Sequence, residues 1–99
     1  MTLKYSFQAE LWLSQGKGAW FFVTLPKEES RQIKIATSLS RKKGWGAVRV
    51  SVVVGKMTWQ TSIFPYSKTG AYILPIKAEV RKKEKITAGD VVSVIIDLI

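Results

Sequence analysis

Apolar and polar residues alternate strictly from Leu3 to Leu13. Leu3, Tyr5, Phe7, Ala9, Leu11 and Leu13 take one side, and Lys4, Ser6, Gln8, Glu10 and Trp12 the other. A period of two is that of a half-buried β-strand. The stretch SQGKG predicts a tight turn, since Gly16 and Gly18 tolerate positive φ, and AWFFVTL returns as a second strand ending at Leu25. Pro26 predicts the start of a short helix, where its missing N–H costs nothing. Glu28 and Glu29 suit the positive end of that helix's dipole. The helix fades near Ser38 into the loop SRKKGWG.

Alternation resumes from Ala47 to Val54, with Val48, Val50, Val52 and Val54 on one face. Gly55-Lys56 fits a two-residue hairpin turn, and MTWQTSIF returns with Met57, Trp59, Thr61 and Ile63 on one side. PYSKTG reads as a loop and AYIL as a short strand. Pro75 predicts a second helix running to about Lys85, with a narrow apolar stripe of Ile76 and Val80. TAGD turns the chain into Val91–Ile99, which is nearly all apolar and is expected to be buried on both faces. Six strands and two short helices predict a barrel or a strongly curled sheet.

Strand, Leu-Pro, short helix, loop and Val-rich strand describe residues 19–54 and again residues 71–99, anchored on Leu25-Pro26 and Leu74-Pro75. Two copies would build one barrel with approximate two-fold symmetry. Through Val80-Arg81, Ile86 and Gly89-Asp90 the second copy resembles the AbrB/MazE swapped-hairpin unit. Gly89 permits the tight reversal, and Asp90 can accept backbone N–H bonds within it. Glu84 stands where that unit carries an apolar residue, and the first copy has no Gly-Asp.

Three ordered blocks carry a second resemblance: Gly18 through Pro26 (GAWFFVTLP), Thr61-Ser62-Ile63-Phe64-Pro65, and Tyr72 through Lys77 continuing by Val80-Arg81-Lys82 to Ala88-Gly89-Asp90-Val91-Val92. On these the whole of 1–99, read as one domain, resembles the domain of unknown function 1905 family. The resemblance implies a mainly β fold: a small six-stranded double-split β-barrel with two short helices and a pseudo-two-fold internal repeat. It implies no activity. In that family the domain often precedes a bacteriocin-protection segment, which these 99 residues do not include. AbrB-type barrels are dimers, whereas a chain holding both halves could be a monomer, so monomer and homodimer both stay open.

Composition narrows the function. The chain has no Cys and no His, and its seven acids are scattered without paired spacing. The commonest general base, the commonest catalytic thiol and the usual zinc ligands are therefore missing. The expectation is a non-enzymatic protein with no metal and no cofactor. No apolar run approaches the roughly 20 residues that span a bilayer. MTLKYSFQAE lacks the basic and apolar regions of a signal peptide. A soluble cytoplasmic protein with no membrane partner is the resulting expectation.

Sixteen Lys and Arg against seven Asp and Glu leave a formal charge of +9, which favours nucleic acid or another polyanion as partner. Two basic clusters are the candidates. Lys77, Arg81 and Lys85 recur every four residues, with Lys82 beside them. They predict either a helical face along a phosphate backbone or a solvated helix with Glu79–Lys83 as an i,i+4 pair. Arg41, Lys42, Lys43 and Trp45 set cations beside an aromatic, which suits a single strand whose bases stack on the indole, unless Trp45 simply tucks under as core. Gly16-Lys17-Gly18 could form an anion nest but reads better as a hairpin turn. Trp12, Trp20 and Trp59 read as core filling rather than lining. The alternative function is a small-ligand or protein-binding module using the barrel mouth and the 65–72 loop, with Tyr66, Lys68 and Tyr72.

Overall fold

A computed structural model describes residues 3–16, 20–38 and 46–99. The strands are β1 (Lys4–Ser14), β2 (Trp20–Thr24), β3 (Val48–Val54), β4 (Met57–Tyr66), β5 (Ala71–Pro75) and β6 (Val91–Leu98). Helix α1 (Lys27–Ser38) joins β2 to β3, and α2 (Ala78–Glu84) joins β5 to β6. All strand pairs are antiparallel, and the ring closes in the order β1-β2-β5-β4-β3-β6. The chain thus forms the mainly β, six-stranded closed barrel with two helices that its alternation implies.

That ring maps onto itself when β1, β2 and β3 exchange places with β4, β5 and β6. The repeating unit is therefore β-β-α-β, one leading strand longer than the unit visible around the Leu-Pro pairs. The two units are stitched together by β2 on β5 and β3 on β6, and the first strand of each also pairs with the last strand of the other, β1 with β6 and β4 with β3. Every described strand has a neighbour on each side, which leaves no free edge strand as a template for aggregation.

Closure gives the sheet one inside. Leu11 faces Val23, Val23 faces Leu74, Phe7 faces Val94 and Val52 faces Ile96, all of them buried. Burying side chains of this size contributes roughly 1.5–3 kcal/mol each. Ile33 from α1, Val80 from α2 and Ile76 join the same core. The helices sit at opposite ends of β3. Residues of the last turns of α1 share a cavity wall with Val48, while Glu84 of α2 accepts a bond from the Lys56 backbone N–H at 3.2 Å.

Three details differ from expectation. β6 is not buried on both faces: Val92, Val94 and Ile96 point inward, but Val91 is 67% exposed and Ser93 is exposed as well. A closed ring covers only its inner face, and Val91 is an apolar residue left outside. The doubly buried strand is β5, where Ala71 through Leu74 are all buried. On its outward side Ala71 pairs with Tyr66 of β4, whose ring lies 5.8 Å from that of Trp12 of β1.

Pro75 does not open α2. It closes β5 opposite Phe22, and the next backbone bond runs from Ile76 N–H to Phe21 C=O at 2.8 Å. A proline at a strand terminus loses no ladder bond. Helix α2 starts after Lys77, whose backbone is extended (φ −69°, ψ 160°), and ends at Lys85 in the left-handed region (φ 56°). Pro65 and Tyr66 likewise belong to β4 rather than to a loop, so the turn there is only 67–70. The Gly89-Asp90 reversal is as read: Gly89 has φ +97°, and Asp90 Oδ2 accepts the Thr87 N–H at 2.8 Å.

One buried polar contact ties α1 to the barrel. Ser30, 4% exposed, accepts the Tyr72 N–H on its Oγ at 3.1 Å. Ser30→Ala strands that N–H, and urea denaturation is expected to show a loss of about 1–3 kcal/mol. A loss under about 0.5 kcal/mol, the range of neutral surface changes, would contradict this. Lys85→Gly relieves a left-handed residue, so the same measurement is expected to show a gain of up to about 1 kcal/mol, net of glycine's added chain entropy. A destabilised Lys85→Gly would show that the lysine side chain holds the helix end.

Candidate functional site

Helix α2 has only seven residues, too few to be stable alone. Two contacts hold it. Val80 is fully buried in the core, and Glu84 clasps the β3–β4 turn through the Lys56 N–H. Gly55, at φ +58°, has no room for a Cβ because the Glu84 carboxylate occupies that space. This explains the acidic residue at position 84: the hairpin turn presents a backbone donor there.

With those faces committed, Arg81 points back along α2 toward β2. Its Nε donates to the Ile76 C=O at 3.2 Å, and its guanidinium carbon lies 3.8 Å from the centroid of the Phe21 ring. The side chain is half-buried, yet among the described residues no carboxylate pairs with it. Arg31 on α1 makes the contrast. It is exposed and bridged to Glu28 at 2.7 Å, and the Glu28 carboxyl is held below its usual range by the Gln32 amide and then by Arg31. A cation fixed by a ring and a carbonyl, with no partner on its terminal N–H groups among the described residues, is chemically able to take an external acceptor.

That acceptor would enter a cleft of about 390 Å³ between β2, β4 and α2, walled by Trp20, Phe21, Trp59, Thr61, Lys77 and Arg81. Trp20 is 58% exposed at its rim. Trp59 is half-buried, with Lys77 Nζ 6.0 Å from its ring centroid. Lys77 also reaches Glu79 Oε1 at 3.6 Å, but both side chains are at least half exposed, so water screens the pair. The cleft thus combines two cations with flat aromatic walls. Among the described residues no group of acids is placed to hold a metal.

The candidates from sequence fall into separate places. Lys77 and Arg81 meet at this cleft. Lys82 and Lys85 are exposed and do not line it, because the helix is too short to carry the four-residue spacing past Lys85's left-handed turn. Arg41, Lys42, Lys43, Trp45 and the Lys17-Gly18 pair lie outside the described residues. Ser38 and Gly46, which flank residues 39–45, line a different cavity with Val48, at the end of β3 far from α2. Seven residues of β3 span roughly 20 Å at about 3.3 Å each.

The alternative trio does not converge. Tyr72 is buried and lines that second cavity, Tyr66 lies on the outer face against Trp12, and Lys68 is exposed in the turn. Trp20 and Trp12 are not core filling. Both occupy outward positions of their strands, and the Trp12 Nε1 donates to Thr24 Oγ1 at 2.9 Å. Trp59 and Thr61 were legible as sharing one face with Ile63, but Phe21 was given no face and nothing in the alternation marked a cleft; only the place of α2 across the strand ends opens one.

No helix among the described residues is long and apolar enough to cross a membrane. No curated protein matches the chain. A family does match, over residues 7–96, which takes in all six strands' cores and both helices, including every wall of the cleft. The chain belongs to the family described as Domain of unknown function (DUF1905).

Proposed function

We propose that this barrel is a non-enzymatic binding module for nucleic acid or another polyanion, and that the cleft beside α2 is where it grips. The carrying observation is Arg81: half-buried, fixed on Phe21 and the Ile76 carbonyl, and without a carboxylate partner among the described residues. Leaving a partly desolvated guanidinium without an anion is unfavourable unless an anion arrives. Lys77 adds a second charge at the same cleft. The net charge of +9 supplies the long-range attraction that concentrates a polyanion near it.

The chemistry there is recognition rather than turnover. Among the described residues the cleft's walls carry no His, Cys or carboxylate, so none of them is suited to general-base work near neutral pH. An arginine stacked on a ring presents a planar fork that matches a phosphate or sulfate, and a lysine beside it acts as a movable point charge.

Fluorescence anisotropy with a labelled oligonucleotide across a salt series tests this reading. Binding is expected to weaken linearly in log K against log salt, and the double variant Lys77→Gln/Arg81→Gln should flatten the slope by about 1.4–1.8, two phosphate contacts' worth. Lys82→Gln/Lys85→Gln should flatten it less. Equal effects from both pairs in folded protein, or no salt dependence at all, would sink the reading.

A further inference from the structure

We propose that the polyanion taken at the cleft is a single-stranded nucleic acid, with phosphates at Lys77 and Arg81 and bases laid along a track of outward aromatic rings that begins at Trp20. This rests on the binding role proposed above and specifies its ligand. Four rings on the outer face of β1, β2 and β4 adjoin in sequence. Trp20 and Phe22 are stacked at 6.1 Å and 12°, Phe22 and Trp12 lie 5.1 Å apart, and Trp12 and Tyr66 lie 5.8 Å apart. Trp20 belongs both to this track and to the cation cleft.

Trp12 interrupts an otherwise polar outward row on β1. Ser6, Gln8 and Glu10 stand outward on the same β1 as Trp12. Phe22, Trp12 and Tyr66 are half-buried and Trp20 is more than half exposed, so the track keeps ring surface in water. Bases of a single strand offer free π-faces to such rings, whereas a duplex hides them between neighbours. Heparin and other sulfated chains have no π-face to offer. Charge complementarity explains why the partner is an anion, and the track explains why it carries bases. The track also leads away from Lys77 and Arg81, so it favours an oligomer over a mononucleotide.

The test is a tryptophan-fluorescence titration with oligo(dT) and oligo(U) of stepped length, a duplex of matched length, and heparin, on the wild type and on Trp20→Ala. Trp20 is surface-exposed, and circular dichroism checks that the variant is folded. Single strands are expected to quench the emission, to bind more tightly as length grows over the first few nucleotides, and to lose affinity roughly 5- to 100-fold in Trp20→Ala. Heparin affinity should change less than two-fold. The DNA and RNA arms show which strand is preferred, and either preference supports the inference. If the duplex binds as tightly as the single strand, or Trp20→Ala leaves single-strand binding intact, the single-strand assignment falls while the polyanion role stands. If Trp20→Ala instead converts a dimer to a monomer with no change in strand binding, the aromatic face is a self-association surface and the assignment also falls. If neither heparin nor any nucleic acid binds, both readings fail together.

Discussion

The pairing of β2 with β5, of β3 with β6, and of each unit's first strand with the other's last joins two β-β-α-β units into a ring, and the remainder of the architecture depends on that closure. A closed ring has a single interior. It accepts Leu11, Val23, Val52, Leu74 and Ile96 on the inward phase of the strands and leaves the outward phase to solvent. The helices cannot lie across a covered face, because no second layer exists. They take the two ends of the barrel, each contributing one or two apolar side chains to the common core.

This confinement shapes the candidate site. Helix α2 is short and pinned by Val80 on one side and by the Glu84 clasp on the β3–β4 turn on another. The remaining face looks over the ends of β2 and β4, where Phe21 and Trp59 occupy inward positions that the helix leaves partly open. Arg81 fills part of that opening with its guanidinium against a ring, an arrangement that fixes the charge's orientation without neutralising it. Pre-orientation of this kind would lower the ordering cost of the proposed anion binding, since less side-chain freedom would be lost.

The alternation of Leu3–Leu13 and of Val48–Val54 made the strands legible, because a period of two admits no helical reading, and the turn residues Gly55, Gly89 and Asp90 set their ends. The repeat was only partly visible: Leu25-Pro26 and Leu74-Pro75 marked its middle, but β1 and β4 share no motif and emerged as counterparts only from the order of the ring. Val91–Ile99 misled because an apolar run resembles a doubly buried strand, while Ala71–Leu74, the run buried at every position, is too short to stand out in the sequence. The cationic spacing of Lys77, Arg81 and Lys85 suggested one long helical face. The αL turn at Lys85 divides that set, and Arg81's attachment to Phe21 depends on a contact sixty residues away that no local pattern encodes.

The central claim is that an anionic strand is received by the cleft at α2, and its most direct measurement is a two-dimensional NMR titration that follows backbone amides, indole Nε1–H signals and arginine Nε–H signals. On addition of a short single-stranded oligonucleotide, the account predicts that the Trp20 and Trp59 indoles, the Arg81 Nε–H and the Lys77 and Ala78 amides shift together along one saturating curve. Shifts confined to α1 and the start of β3, with the Arg81 and Trp20 signals unmoved, would contradict it.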